Sequence, residues 1–157
     1  MEERSAREEP AGAGSPELRL WVRLLRCAKI GEKQLRRNFE DQFDTTLPRF
    51  DVMAALHREP DGMSMGRLSK ALLVSNGNVT SIVRQLHTQG LVLSQPDPQD
   101  GRSAIVSLTE EGERQFKQLA EAHHRWIADI FRDVPPARID QLVDGLGEVR
   151  RLLGDKT

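Results

Sequence analysis

Residues 75–88 carry hydrogen-bonding side chains that a single helix would present on one face. Apolar residues at helical spacing predict a buried stripe on the other face: Val79, Ile82, Val83 and Leu86. The outward side and its flanks hold hydroxyl, amide and guanidinium groups and no carboxylate. These residues are Ser75, Asn76, Asn78, Thr80, Ser81, Arg84 and Gln85. Such groups match the donors and acceptors of the major groove, and the pattern predicts a DNA-reading helix.

The segment around this helix is depleted of acids. No Asp or Glu occurs between Gly62 and Pro96, although the whole chain has 24 acidic residues against 23 Lys and Arg. Arg67, Lys70 and Arg84 therefore form a locally positive stretch in a nearly neutral protein. Because neutralisation of phosphates dominates affinity for nucleic acid, a local patch matters more than net charge. The alternative interpretation is an ordinary solvated helix face.

A short hairpin is predicted directly after this helix. Strand-like residues lie at 91–93 and 103–108, and the sequence from Gln95 to Gly101 is rich in turn-forming Pro, Asp and Gly. The hairpin places Arg102 at its tip, where we expect the guanidinium to enter a minor groove or hold a phosphate. Asp100 is expected to orient that guanidinium, and the alternative is a simple ion pair within the hairpin. Two short helices followed by such a hairpin make a helix-turn-helix with a wing.

The surrounding sequence predicts a mainly helical chain with a small β-hairpin, an α+β winged helix-turn-helix with long terminal helices. The predicted order is α-α-α-α-β-β-α-α, with a short strand near Met63. Besides the DNA-reading helix, predicted helices span residues 16–44, 47–58, 65–72, 110–132 and 137–153. We divide the chain into a disordered tail (1–15), an N-terminal dimerisation helix (16–46), a DNA-binding domain (47–109) and C-terminal dimerisation helices (110–157).

We call the winged helix-turn-helix the reader. The terminal helices carry more apolar side chains than this small reader needs for its own core. They include Trp21, Leu25, Ile127, Ile130, Leu142, Leu146 and Leu153. Burial of apolar surface stabilises by about 25 cal/mol per Å², so we expect these residues to be covered. A homodimer joined through the terminal helices would cover them. Its twofold symmetry would place two reading helices about 34 Å apart on a pseudo-palindromic operator in double-stranded DNA.

The segment from Leu47 to Gly112 resembles the MarR (multiple antibiotic resistance regulator) family of winged-helix repressors. The matching residues are Leu68, Leu72, Ser75, Val79, Thr80, Val83, Leu86, Gly90-Leu91-Val92, Asp97-Pro98, Asp100, Arg102 and Leu108-Thr109-Glu110-Glu111-Gly112. The Asp-x-Arg pair followed by LTxxG is the most specific part. The chain departs from the family at Ser81, Ser94 and Gln95, where a basic residue is common. The resemblance implies a dimeric transcriptional regulator that binds DNA.

The resemblance also implies an effector pocket between the dimerisation helices and the reader. We place it at Arg19, Trp21, Arg23, Arg26, Cys27, Arg49, Phe50, Met53, His123 and His124. Cations recur at helical spacing as far as Lys29, and no acid lies among residues 18–31. Cations beside aromatic rings suit an anionic aromatic ligand; the alternative is a solvated face, or pairing with acids of a partner subunit. TTLPRFD, PDG and VSNGNVT are similar to the branch that controls aromatic-acid catabolism, which favours an aromatic acid or an aryl-CoA thioester as effector.

Composition limits the class of protein. With 157 residues, 38% hydrophobic and 30% charged, the chain fits one soluble domain with a helical extension. No apolar run is long enough to span a bilayer, the N-terminus lacks the pattern of a signal peptide, and one cysteine cannot form an internal disulfide. We therefore expect a cytoplasmic protein with no membrane partner.

Other chemistries find less support in the residues. Cys27 beside Arg23 and Arg26 suggests redox regulation, but its mid-helix position among apolar residues is typical of a buried inert thiol. His123 and His124 diverge by about 100° on a helix, so a shared metal is not expected. No phosphate loop, carboxylate pair or nucleophile motif indicates an enzyme, and no cofactor is expected. A ligand-independent architectural DNA binder remains a further alternative.

Overall fold

The computed structural model describes residues 14–72 and 79–154, beginning with a 28-residue helix, α1 (Pro16–Phe43). Ser15 precedes the helix, and its Oγ accepts the backbone N–H of Leu18 at 3.3 Å. Pro16 suits the first turn because an N–H there would have no partner within the helix. The helix ends at Phe43, and Asp44 then adopts a positive φ of 49°, a conformation that Asp tolerates better than most residues.

The remaining elements confirm the predicted mainly helical class with a small β-hairpin. They are α2 (Leu47–His57), β1 (Met63–Ser64), α3 (Met65–Ala71), α4 (Val79–Thr88), β2 (Val92–Pro96), β3 (Ala104–Leu108), α5 (Glu110–Ile130) and α6 (Pro136–Leu152). The strands form one antiparallel sheet in the spatial order β1-β3-β2. The short strand predicted near Met63 is β1, and the predicted helix ends agree to within two residues.

The first wing strand differs from its prediction. The segment 91–93 was expected, but β2 pairs with β3 from Val92 opposite Leu108 to Pro96 opposite Ala104. The prediction places Pro96 in the turn because the segment from Gln95 to Gly101 is rich in turn-forming residues. β2 lies at the edge of the sheet, and because the next amide, that of Asp97, bonds Ser103 O, the nitrogen of Pro96 faces away from β3. The strand therefore continues through the proline without losing a ladder bond.

The chain divides within α1 into two compact units, which are Met1–Gln34 and Leu35–Thr157. In the described part of the first unit, residues 14–34, no side chain is buried. The large apolar side chains exposed there are Leu18, Leu20, Trp21, Leu25 and Ile30. These side chains are among those that the homodimer is expected to cover, and their burial by a partner subunit stays a prediction. A single helix has no second layer of its own against which to pack.

An aromatic cluster organises the core of the second unit around Phe39. Its ring centroid lies 4.9 Å from that of Phe50 and 4.9 Å from that of Trp126, which meets it edge-on. Phe50 in turn stacks on Phe116 at 5.7 Å. These contacts join the end of α1, α2 and α5, and aromatic pairs of this geometry stabilise beyond their buried area. The most deeply buried side chains around them are Val52, Met53, Leu56, Leu68, Leu86, Val106 and Leu119.

The end of α4 is joined to the start of α5 through backbone carbonyls. Gly90 has a φ of 72° and closes α4 with a Schellman motif, in which Leu91 N–H bonds Leu86 O at 3.0 Å and Gly90 N–H bonds His87 O at 2.9 Å. Thr109 then donates its N–H to Leu91 O at 3.0 Å and its hydroxyl to Gly90 O at 2.7 Å. We call these contacts, with Gly112, the α4–α5 junction.

Thr109 and Gly112 complete this junction from the α5 side. Thr109 Oγ1 accepts the Gly112 N–H at 3.0 Å and so caps α5, whose first turn carries Glu110, Glu111 and Glu113 beside the positive helix end. A Cβ on Gly112 would lie 2.0 Å from Leu91 O. Only glycine permits the start of α5 to approach the backbone this closely.

Replacing Gly112 with alanine should therefore destabilise the protein. The added methyl collides with backbone rather than with a flexible side chain, so we expect the free energy of unfolding to fall by about 1–3 kcal/mol. Gly66→Ala is the matched control, because Gly66 is exposed on α3 and a Cβ there meets nothing within 4 Å. That variant should be neutral or up to about 1 kcal/mol more stable. Urea denaturation measures both, and equal stability of the two variants would contradict the close approach.

Candidate nucleic-acid interface

The two faces of α4 separate as the sequence predicts. Val79, Val83 and Leu86 are buried, and Ile82 packs partly buried against the same core. Thr80, Arg84 and Gln85 are exposed on the other side, and Ser81 is half-buried. The predicted positions Ser75, Asn76 and Asn78 lie outside the described residues. The face of α4 thus presents a hydroxyl, a guanidinium and an amide from one rigid element.

Cations near this face differ in their local partners. Arg67 on α3 forms an exposed ion pair with Glu59, with Nη2 3.1 Å from Oε1. Exposed pairs of this kind contribute little to stability, so the guanidinium can exchange Glu59 for a phosphate at low cost. Lys70 is exposed at the end of α3. The segment without acids therefore gives a positive surface. Glu59, which precedes that segment, offsets part of this charge at Arg67.

The wing presents Arg102 on an exposed turn shaped by side-chain acceptors. Asp100 Oδ1 accepts the backbone N–H of Arg102 at 3.1 Å. This contact is to the backbone, so Asp100 shapes the turn, and orientation of the guanidinium by its carboxylate stays a prediction. The sequence marked Asp97 only as part of the family pattern and gave it no role, whereas its carboxylate accepts hydrogen bonds from Ser103 Oγ at 3.1 Å and Gln99 N–H at 2.9 Å. The signal that marks it is an Asp-Pro step at the start of the loop.

The residues predicted to bind an effector fall in both units. Arg19, Trp21, Arg23, Arg26 and Cys27 are exposed on the N-terminal half of α1. Within that half, Arg23 Nη1 donates to the carbonyl of Arg19 at 3.4 Å. The expectation of a buried Cys27 is wrong for this chain, because its thiol lies on the same uncovered helix.

The other predicted effector residues belong to the second unit. Phe50 and Met53 are part of the packed core, so they contact protein rather than lining an open cavity. Arg49 on α2 donates through Nη2 to Gln89 Oε1, while its Nε is buried without a hydrogen-bond partner in the described part of the chain. This contact joins α2 to the residue that follows α4. An effector role for these residues stays a prediction.

His123 is held among aromatic rings, whereas His124 is exposed. The His123 ring centroid lies 4.7 Å from that of Phe50 and 6.2 Å from that of Phe39. Burial, and secondarily the charge of His124, lowers the pKa of His123 below its ordinary value of 6.5. The lowered pKa favours the neutral imidazole, whose ring packs beside those of Phe50 and Phe39.

An open cleft of about 510 Å³ lies in the second unit, between the end of α1, the end of α4 and the start of α5. Its lining residues are Phe43, Asp44, Gln89, Leu91, Glu111, Arg114, Gln115 and Gln118. Arg114 bonds Glu111 within this lining, so the cleft is polar and not strongly cationic. None of the ten residues predicted to bind an effector lines it.

Residues 14–72 and 79–154 contain neither a metal-binding group of side chains nor a membrane-spanning helix. No group of three or more His, Cys, Asp or Glu side chains in these ranges is arranged to hold a metal ion. No helix in the same ranges is both long enough and apolar enough to cross a membrane.

The three-stranded sheet, the exposed face of α4 and the wing define a winged helix-turn-helix protein. A model of the MarR family matches residues 43–103. The transcriptional activatory protein BadR of Rhodopseudomonas palustris is 35% identical over 105 residues, which are 66% of this chain and 59% of that protein. A MarR family regulator from Silicibacter pomeroyi has a solved structure that is 36% identical, with a TM-score of 0.76 over 87% of this chain and 94% of that one.

The same fold occurs in a regulator solved on DNA. The crystal structure of a MarR family transcriptional regulator from Streptomyces coelicolor in complex with DNA matches with a TM-score of 0.76 at 20% identity, covering 95% of this chain and 94% of that one. The chain described here belongs to the MarR family of transcriptional regulators. This family binds DNA and regulates transcription rather than catalysing a reaction.

The half-buried imidazole of His123 predicts a pH dependence of stability. In the unfolded chain the imidazole takes up a proton as the pH falls through about 6.5, whereas the folded state resists protonation until lower pH. Stability should therefore fall as the pH drops below 6.5. His123→Phe keeps an aromatic ring and removes the titration, so its unfolding free energy should fall less between pH 7 and pH 5. His87→Gln, at an exposed position, is the control, and identical pH profiles for wild type and His123→Phe would contradict the prediction.

Proposed function

We propose that this protein is a homodimeric, sequence-specific regulator that represses transcription from a pseudo-palindromic operator until a small anionic aromatic ligand releases it. The observation that carries the DNA-reading part is the division of α4 into a buried and an exposed face. Arg84 and Gln85 project from a helix whose other side is anchored in the core. Side chains placed in this way reach base edges when the helix lies in the major groove.

Exposed apolar surface on the terminal helices supports the homodimer. In α6, whose residues are all described, no side chain is buried, and Leu142, Val143 and Leu146 are 50%, 64% and 42% exposed. The N-terminal half of α1 exposes Trp21 at 61%. A second copy is the simplest cover for these faces, since a twofold dimer also matches the symmetry of a pseudo-palindromic operator.

The cation-rich half of α1 supports an anionic effector. Arg19 and Arg23 are exposed in a stretch without acids, beside Trp21. A carboxylate or a CoA phosphate would be bound by the guanidinium groups, and an aryl ring would pack on the indole. The relative BadR is named as an activatory protein. Whether such a regulator activates or represses transcription depends on the position of the operator as well as on the reader. The effector class is an aromatic acid or its aryl-CoA thioester.

Exposure of Cys27 favours one alternative, a redox-responsive regulator. Its thiol lies on α1 four residues after Arg23, and cations near a thiol favour the reactive thiolate. In this alternative an oxidant, rather than an aromatic ligand, releases the DNA. A ligand-independent architectural role would show neither response.

Fluorescence anisotropy with the DNA upstream of the protein's own gene tests the DNA-reading part. We expect tight binding at low salt. If the protein contacts 6–10 phosphates, its affinity for DNA should fall about 10³- to 10⁵-fold between 50 and 200 mM salt. Arg84→Ala should lose about 1–3 kcal/mol of binding free energy and relax sequence preference. Arg132→Ala makes the same change at an exposed position after α5 and should bind as wild type. Absence of sequence-preferring binding at low salt would overturn the proposal.

Isothermal titration with benzoates, hydroxycinnamates and their CoA thioesters tests the effector part. One compound should give a binding heat and should also release the DNA. Arg23→Ala should weaken that binding, while Arg114→Ala, in the polar cleft, should not. Absence of heat with every compound would exclude this effector class. Release of DNA by peroxide that is lost in Cys27→Ser would favour the redox alternative.

A further inference from the structure

The base of the wing loop is closed by a pair of residues beyond the last strand pair. Asp97 N–H donates to Ser103 O at 3.0 Å. The side chains of the same two residues are also bonded, with Ser103 Oγ donating to Asp97 Oδ2 at 3.1 Å. Asp97 and Ser103 are both half-buried, although most of the loop between them is exposed. We call this pair the wing clamp.

Two local hydrogen-bonded turns lie inside the clamp. Asp97 Oδ1 accepts the Gln99 N–H at 2.9 Å, and Asp100 Oδ1 accepts the Arg102 N–H at 3.1 Å. Ser103 N–H donates to Asp100 O at 3.0 Å. Each Asp thus replaces a backbone acceptor for an amide two residues later, which is the geometry of an Asx turn. The loop that carries Arg102 is therefore held by side chains at both ends.

We propose that Asp97 is a positioning residue for DNA binding, acting with Ser103 to hold the wing closed so that Arg102 meets DNA in one orientation. This inference rests on the proposed function, since it concerns how the wing reaches DNA. Pro96, the last residue of β2, has no N–H to donate. The first amide that can close the hairpin after it is that of Asp97. Without the clamp, the loop would have to be ordered at the moment of binding, and that ordering would weaken affinity.

The charge of Asp97 makes the proposal easy to distinguish from a purely electrostatic effect. A carboxylate near phosphates repels them, so removing its charge alone should tighten DNA binding. Loss of the clamp should weaken it. Asp97→Ala removes both the charge and the hydrogen bonds. Asp97→Asn removes the charge but keeps an acceptor for Gln99 N–H and an amide that can donate to Ser103 Oγ.

The experiment measures promoter-DNA affinity by anisotropy for wild type, Asp97→Ala, Asp97→Asn and Ser103→Ala, each alone and combined with Arg102→Ala. We expect Asp97→Ala to bind about three- to tenfold more weakly and Ser103→Ala to be weakened less. Asp97→Asn should bind at least as tightly as wild type. In the Arg102→Ala background Asp97→Ala should cause no further loss, because the clamp acts through Arg102.

Amide hydrogen exchange on the free protein gives a readout that does not depend on DNA. Gln99 and Ser103 amides should be protected in wild type and in Asp97→Asn, and Gln99 should lose protection in Asp97→Ala. Unchanged thermal unfolding of the variants would show that only the wing is affected.

Three results would overturn the wing clamp. The first is that both Asp97 variants tighten DNA binding, and the second is an equal loss with and without Arg102. The third is exchange of the wild-type Gln99 and Ser103 amides at the rate of an unstructured peptide. If wild type binds no promoter DNA, the proposed function fails, and the exchange data still decide whether the clamp exists.

Discussion

The contact on which the rest of the second unit depends is the close approach of the start of α5 to the backbone that follows α4. Gly112 leaves no side chain between α5 and the carbonyl of Leu91. Thr109 uses one hydroxyl twice, as acceptor for Gly112 N–H and as donor to Gly90 O, so both of these backbone groups are hydrogen-bonded at this crowded point. The α4–α5 junction thereby connects α4, the helix proposed to read DNA, with α5, the helix that precedes α6.

This connection bears on the proposed regulation by a ligand. The start of α5 is hydrogen-bonded to the residues that end α4. A change in the direction of α5 would therefore also move α4, whose exposed face carries Arg84. His57 on α2 reinforces that route, since its Nδ1 lies 2.8 Å from Glu113 Oε2 and its ring packs on Phe116 at 4.5 Å. A ligand changes DNA affinity only as far as it prefers one arrangement of these helices over another. In the proposed regulation by a ligand, the junction links α5 directly to α4.

Much of the local structure was predictable because it follows from residue type at short range. Ser64 and Thr109 each accept an N–H three residues later, and α3 and α5 begin directly after them. The apolar period of α4 correctly divided its two faces. The extension of β2 through Pro96 was not predictable in this way, because only its position at the sheet edge makes a proline acceptable. The role of Asp97 was missed for a related reason, since its partner Ser103 comes close only when β2 and β3 pair.

The sequence by itself determined the element types, the winged helix class and the exposed polar face of α4, because these depend on periodicity, caps and charge along a few neighbouring turns. Only the tertiary structure decided which predicted effector residues are core and which are surface. Phe50 and Met53 are as apolar as Trp21, yet they are buried whereas Trp21 is exposed. The reason is that burial depends on what packs against a side chain. α2 has α5, β3 and its neighbouring helices beside it, whereas the described N-terminal half of α1 has no layer of its own to cover it.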